Sequence, residues 1–290
     1  MDKATAAEIV SAYEDSIARP AQDRFTEIGD FEKKQFRDGR LDEKEQIAYA
    51  VQCQDYLRFG NAVDAVLTGS YPQHEAVKLS QTPPLYLEAG FRQLPFLMTQ
   101  RHIRLAVRPK IRTDPHRHGL SVQQVKQFPE LLAKPVMLCD SPAYEDRLLV
   151  LLNAIDGDEM PLIAAIKPNG NGSYEMEEIE TNFILSVYGK KNFPRYFERQ
   201  ITPDRVIYFN KKRGQELERL SQLRLLGDYS GLDLSEHIIR SPQCISKAGL
   251  HTSKKPAVSL SSEVKRLTQI RKEFEKQGEL KQDPHRNQGR

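Results

Sequence analysis

Signatures for metal, nucleotide phosphate or an activated serine are missing from this chain. There is no CxxC, no HExxH and no pair of histidines four residues apart, so no metal site is expected. There is no Walker loop, no GxGxxG and no GxSxG elbow, which leaves phosphoryl donors and nicotinamide cofactors without support. Cofactors are therefore expected to be absent. Cysteine is scarce: Cys53, Cys139 and Cys244 are scattered, and an odd count predicts buried thiols in a reducing compartment. No run of eighteen apolar residues occurs, so no membrane contact is expected. The start, MDKATAAEIV, lacks a basic segment followed by an apolar one. That predicts a cytoplasmic protein, or one delivered by a route needing no secretion signal.

What is present is uneven charge. The net charge of +3 over 290 residues conceals a basic end, since residues 251–290 hold ten Lys/Arg against five Asp/Glu. Two further basic clusters lie inside the chain. Arg101, Arg104, Arg108, Lys110, Arg112 and Arg117 oppose only Asp114, and eight cations between Lys190 and Arg213 oppose Glu198 and Asp204. Such clusters suit a polyanion such as RNA, and equally suit a solvated surface.

The pattern of apolar residues predicts an α+β chain. Ile9, Val10, Tyr13 and Ile17 recur at helical spacing up to Pro20, and Ile47, Ala50, Val51 and Leu57 repeat it over 42–59. A helical N-terminal region over 1–75 is expected, closed by the turn-rich Thr68–His74. The pair Pro83-Pro84 opens a short helix ending at Gly90, Phe96–Met98 reads as a brief strand, and His102–Val107 as a helical turn or two. Ser121 with Gln124 forms a capping box, and Pro129 forces a kink or restart before Pro135. Strands follow at Val136–Cys139, Leu148–Leu152, Leu162–Ile166, Phe183–Tyr188 and Val206–Phe209, with helices at Phe193–Gln200 and Lys212–Leu226. The expected fold is an antiparallel sheet of four or five strands over 135–210 packed on the helix 121–133, within a domain of 76–240. Asp156-Gly157-Asp158 marks one turn, and Asn169-Gly-Asn-Gly172 reads as another, with a phosphate cradle the less favoured alternative. Residues 241–290 form a basic tail. Within it Ser262 caps a solvated helix ending at Gly278, and residues 279–290 are expected to be disordered and removable.

Six polar residues cluster in or beside the central stretch: His118, Ser186, Tyr188, Lys190, Arg195 and Tyr208. Each has a plain structural reading. His118 is either a group that binds a loop beside a helix N-terminus or a proton-transfer residue. Ser186 and Tyr188, two apart on a strand, share a face. Phe183, Leu185 and Val187 look like the core set, which leaves Ser186 and Tyr188 on the open face.

The segment from Thr82 to Tyr208 resembles the phage MuF C-terminal domain, which also occurs in polyvalent proteins of mobile elements. The resemblance is carried, in order, by Thr82-Pro83, Leu94–Met98, His118-Gly-Leu-Ser121, Phe128–Val136, Asp140-Ser141, Pro161–Ala165, Asn182 with Ser186–Lys190, and Tyr208–Lys212. It implies a barnase–EndoU–colicin–RelE-like (BECR) fold, whose members are mostly metal-independent RNases or toxins. On that basis His118, Ser186 and Tyr188 are candidate catalytic residues, and Lys190, Arg195, Tyr208 and Arg112 candidate substrate-binding residues. The implied partner is RNA or another nucleic acid, with an immunity protein, antitoxin or phage structural protein as a further partner. Two alternatives stay open: a nucleic-acid-binding accessory protein of a virion or mobile element, and an anti-defence factor binding a host protein.

Overall fold

A computed structural model of the chain describes residues 1–18, 36, 38–114, 116–222 and 238–245. The chain divides into a compact unit, Met1–Lys247, and a second stretch, Ala248–Arg290, which lies outside the described residues. The expected helix at 262–278, the disordered tail and the last residues of the Lys212–Leu226 helix fall outside them as well.

Two N-terminal helices form where expected, but of the second one's expected stripe only Ala50 is buried, Val51 is exposed, and Tyr49, Cys53 and Tyr56 make the inner face instead. Helix α1 (Lys3–Ile17) buries Ala6, Val10, Tyr13 and Ile17. Helix α2 (Glu43–Thr68) opens on a capping box: Asp42 accepts from the Glu45 N–H at 2.9 Å while the Glu45 side chain accepts from the Asp42 N–H at 2.8 Å. It ends on Gly69, whose φ of 82° is the left-handed conformation that suits glycine. It therefore runs three turns or so beyond the expected end at residue 59. Phe59, Val63 and Val66 prolong its apolar stripe and enter the main core. Helix α2 thus contributes both to the N-terminal cluster with α1 and to the main core.

Strand β1 (Ala76–Gln81), helix α3 (Pro84–Glu88), strand β2 (Pro95–Thr99) and helix α4 (Gln100–Val107) follow. The capping box at Ser121 and Gln124 starts α5 (Val122–Lys126). Pro129 lacks an N–H, so a new helix, α6 (Phe128–Ala133), restarts with the proline in its first turn. Then come β3 (Met137–Asp140), β4 (Leu148–Ile155), β5 (Pro161–Tyr174), β6 (Glu177–Gly189), α7 (Phe193–Gln200), β7 (Val206–Phe209) and α8 (Lys211–Ser221).

The sheet has seven strands in the order β1-β2-β6-β5-β4-β3-β7. The five strands expected over 135–210 are all there and antiparallel. Beside them, β2 adds to β6 in parallel and β1 pairs antiparallel with β2. Both faces are covered. Leu148, Val150, Leu152, Leu162, Ala164 and Ile166 meet the core shared with α2 to α6. Leu149, Leu151, Ile163 and Ala165 meet Phe193 and Phe197 of α7 and Leu217 of α8. Two covered faces explain why β4 and the start of β5 read as unbroken apolar runs.

The reading of Asn169–Gly172 as a turn is overturned, because β5 continues to Tyr174. The chain reverses instead at Glu175 and Met176, with φ of 52° and 62° between the paired Tyr174 and Glu177. Gly172 serves space rather than reversal: a Cβ there would come within 3.1 Å of the Phe183 ring and 3.2 Å of Leu97. Asn169, at φ 52°, sits in a bulge between Lys167 and Gly170.

Candidate functional site

A second bulge decides where Ser186 and Tyr188 point. Ala165 pairs with Ser186 while Ile166 pairs with Ile184, so Leu185 is the extra residue on β6. Alternation therefore fails at Leu185. Ile184 and Val187 both enter the main core, whereas Leu185 and Tyr188 pack at the margin of the second one. The expected core set of Phe183, Leu185 and Val187 is correct only for Val187. Ser186 and Tyr188 do lie opposite Val187, beside Ala165 and Ile163, but half-buried rather than on an open face.

The loop between α4 and α5 reaches this end of the sheet. The N–H groups of His118, Gly119 and Leu120 donate to the carbonyls of Leu105, Arg108 and Ala106 at 3.1, 2.9 and 2.8 Å, so the loop folds back along α4. The His118 ring then stacks on Tyr188, with centroids 5.4 Å apart and planes at 28°. Lys190 follows two residues later, its ammonium 4.3 Å from the centre of the Tyr196 ring on α7.

Burial pushes the two stacked groups in opposite directions. Loss of water lowers His118 to about 4, and the positive potential of His116, Lys110 and His102 adds to this while Asp114 opposes it. The imidazole is neutral at pH 7 and able to accept a proton. Burial raises the Tyr188 phenol, which keeps its proton. Each ring carries the protonation state that a base and an acid, respectively, need.

An ion-pair cluster lies directly beneath. Lys110 Nζ lies 2.6 Å from Asp156 Oδ2 and 2.5 Å from Asp158 Oδ2. Burial works against the Lys110 charge, but bonding to both carboxylates outweighs it and holds the ammonium above its usual range. Asp156 is fully buried, and its Oδ1 accepts from the N–H groups of Asp158 and Met160 at 2.9 and 3.0 Å. Lys110 and Asp156 carry no motif that singles them out. In the sequence one is a loop cation and the other the first residue of a turn.

The other candidates divide. Arg112 and Arg195 are exposed. Tyr208 is not brought to the site: it lies on β7, four strands away from β6, where it is 4 % exposed and accepts from Asn210 Nδ2 at 3.3 Å. It supports the core. Asn182, four residues before Ser186, is likewise structural: fully buried, it donates to Thr82 Oγ1 at 2.9 Å and to the Arg92 carbonyl at 3.1 Å, and accepts from the Asn169 N–H at 3.1 Å. Among the described residues no group of three or more His, Cys, Asp or Glu is placed to hold a metal ion, and no helix is long and apolar enough to cross a membrane.

No curated protein and no solved structure matches this chain. Residues 109–216, which include Lys110, His118, Asp156, Ser186, Tyr188 and Lys190, match the family model described as the phage MuF-C-terminal domain, and this part of the chain is similar to that phage family.

Proposed function

We propose that this is a phage or mobile-element protein whose sheet domain, of BECR kind, cleaves RNA without a metal ion. The observation that carries the reading is the stack of a neutral His118 on a protonated Tyr188. His118 accepts the proton of a ribose 2′-OH, and the 2′-oxygen attacks phosphorus. The P–O5′ bond breaks, the phenol of Tyr188 protonates the departing 5′-oxygen, and a 2′,3′-cyclic phosphate remains. Lys190, just past the end of β6, offsets charge on the phosphorane, and Ser186 supplies a hydroxyl on the same face as Tyr188. Exposed Arg112 and Arg195 hold the flanking backbone, so binding weakens as salt rises. The domain works in the cytoplasm, reached with phage or mobile-element DNA, and an immunity protein or antitoxin is the natural partner of such an activity.

The test is cleavage of a mixed RNA by purified wild type and His118→Ala in the presence of chelator. Replacement should lower the rate by about two to four orders of magnitude. Since His118 titrates near 4, the wild-type rate should climb with pH through that value and stay level toward neutrality. Wild-type protein that binds RNA with a steep salt dependence yet leaves it intact would overturn the nuclease reading and leave a nucleic-acid-binding accessory protein.

A further inference from the structure

The Lys110–Asp156 pair touches both segments that carry the stacked rings. Gly119, next to His118, has φ +64°, and a Cβ there would come within 3.3 Å of Lys110 Cγ and 3.4 Å of its backbone nitrogen. Gly189, next to Tyr188, presses on the other partner: a Cβ there would stand 1.8 Å from Asp156 Oδ2. Glycine is therefore required at Gly189 by close approach and at Gly119 by both conformation and approach. Asp156 is in turn immobile, since its other oxygen accepts two backbone N–H groups and its own N–H donates to the Met160 carbonyl at 2.9 Å. Gln124 Nε2 fixes the preceding residue, donating to the Ile155 carbonyl at 2.7 Å. The chain of contact runs Gly119, Lys110, Asp156, Gly189, without a gap.

We infer that Lys110 and Asp156 are positioning residues: their ion pair, buried at Asp156 and half-buried at Lys110, is a strut that sets the loop carrying His118 against the strand carrying Tyr188, and so holds the two rings in register. The inference rests on the reading of those rings as the reacting pair, but the strut is a statement about geometry and is testable without RNA. A salt bridge is well suited to the task. It fixes direction as well as distance, whereas the backbone bonds of His118, Gly119 and Leu120 hold the loop to Leu105, Arg108 and Ala106 and not to β6. The charged or titratable groups that act on His118 from the loop and α4 are His116, Lys110, Asp114 and His102, with Tyr188 facing it from β6. Lys110 thus has a second effect, which is to disfavour the imidazolium.

The decisive variant is Lys110→Met/Asp156→Asn, which removes both charges together and leaves no buried ion unpaired. The asparagine oxygen still accepts from Asp158 and Met160, so the turn keeps its bonds. In the full-length protein, NMR should show loss of the His118–Tyr188 ring contacts and a rise of the His118 titration midpoint toward the ordinary imidazole value, with melting of the fold still cooperative. RNA cleavage, if wild type has it, should fall about a hundredfold, as for other displaced reacting groups. Ring contacts and midpoint both unchanged in the folded variant would overturn the strut. Should that variant not fold, Gly189→Ala asks the same question by pushing the Asp156 carboxylate away from β6. It should likewise break the ring contacts, and their survival would overturn the inference. An inactive wild type whose ring contacts nonetheless depend on Lys110 and Asp156 would remove the nuclease reading and keep the strut.

Discussion

Asn182→Ala is expected to be among the most damaging single changes in the domain, although Asn182 touches nothing at the candidate site. Its amide fills a fully buried position between Thr82 after β1, Arg92 in the segment leading to β2 and the bulge in β5. Truncation orphans the Asn169 N–H, which costs about 1–3 kcal/mol when a donor is buried, toward the lower end here because Asn169 is half-buried. The Arg92 carbonyl keeps a donor, Thr82 Oγ1 at 3.2 Å, so that end loses less. A cavity the size of the amide adds a further ~1 kcal/mol or more. The total is about 2–4 kcal/mol, measurable by urea unfolding with an unchanged m-value. Asn182→Asp sharpens the test. One carboxylate oxygen still accepts from Asn169, but the other faces the Arg92 carbonyl oxygen inside the core. The folded-state pKa of that aspartate must lie above its unfolded value, so the folded state binds the proton more tightly. Its penalty relative to wild type should therefore be small in acid and grow as pH rises above about 4. A loss below about 0.5 kcal/mol for Asn182→Ala, or a pH-independent penalty for Asn182→Asp, would refute this account of the network.

Tyr13→Phe removes the hydroxyl that donates to Glu130 Oε2 at 2.5 Å and ties α1 to α6. A loss of about 1–2 kcal/mol is expected by chemical unfolding. Burial raises the thiols of Cys139 and Cys244 to about 12, so neither should react with a thiol reagent at pH 8 until the chain is unfolded. Prompt labelling of the native protein would show that one of these regions opens readily.

The sequence alone determined most local structure, because local structure follows local rules. The Ser121 capping box, the Pro129 restart, the Asp156 turn and the apolar runs of β3 to β7 all rest on neighbours within a few residues. The resemblance in the central stretch was also legible, and residues 109–216 match the same phage family. Tertiary structure decided what depends on partners far along the chain. Strand β1 was missed because only Val77 and Leu79 alternate there, and its pairing with β2 lies outside the segment. Asn169–Gly172 looked like a turn because glycine beside asparagine usually makes one, whereas Gly172 makes room for Phe183 and Leu97. Inside the site the sequence supplied His118 and Tyr188, seventy residues apart, as residue types. Only folding stacks them, and only folding turns a bland lysine and the first residue of a turn into the ion pair between the loop of one and the strand of the other. Charge pairing across a sheet end depends on distance in space, and no spacing along the chain records it.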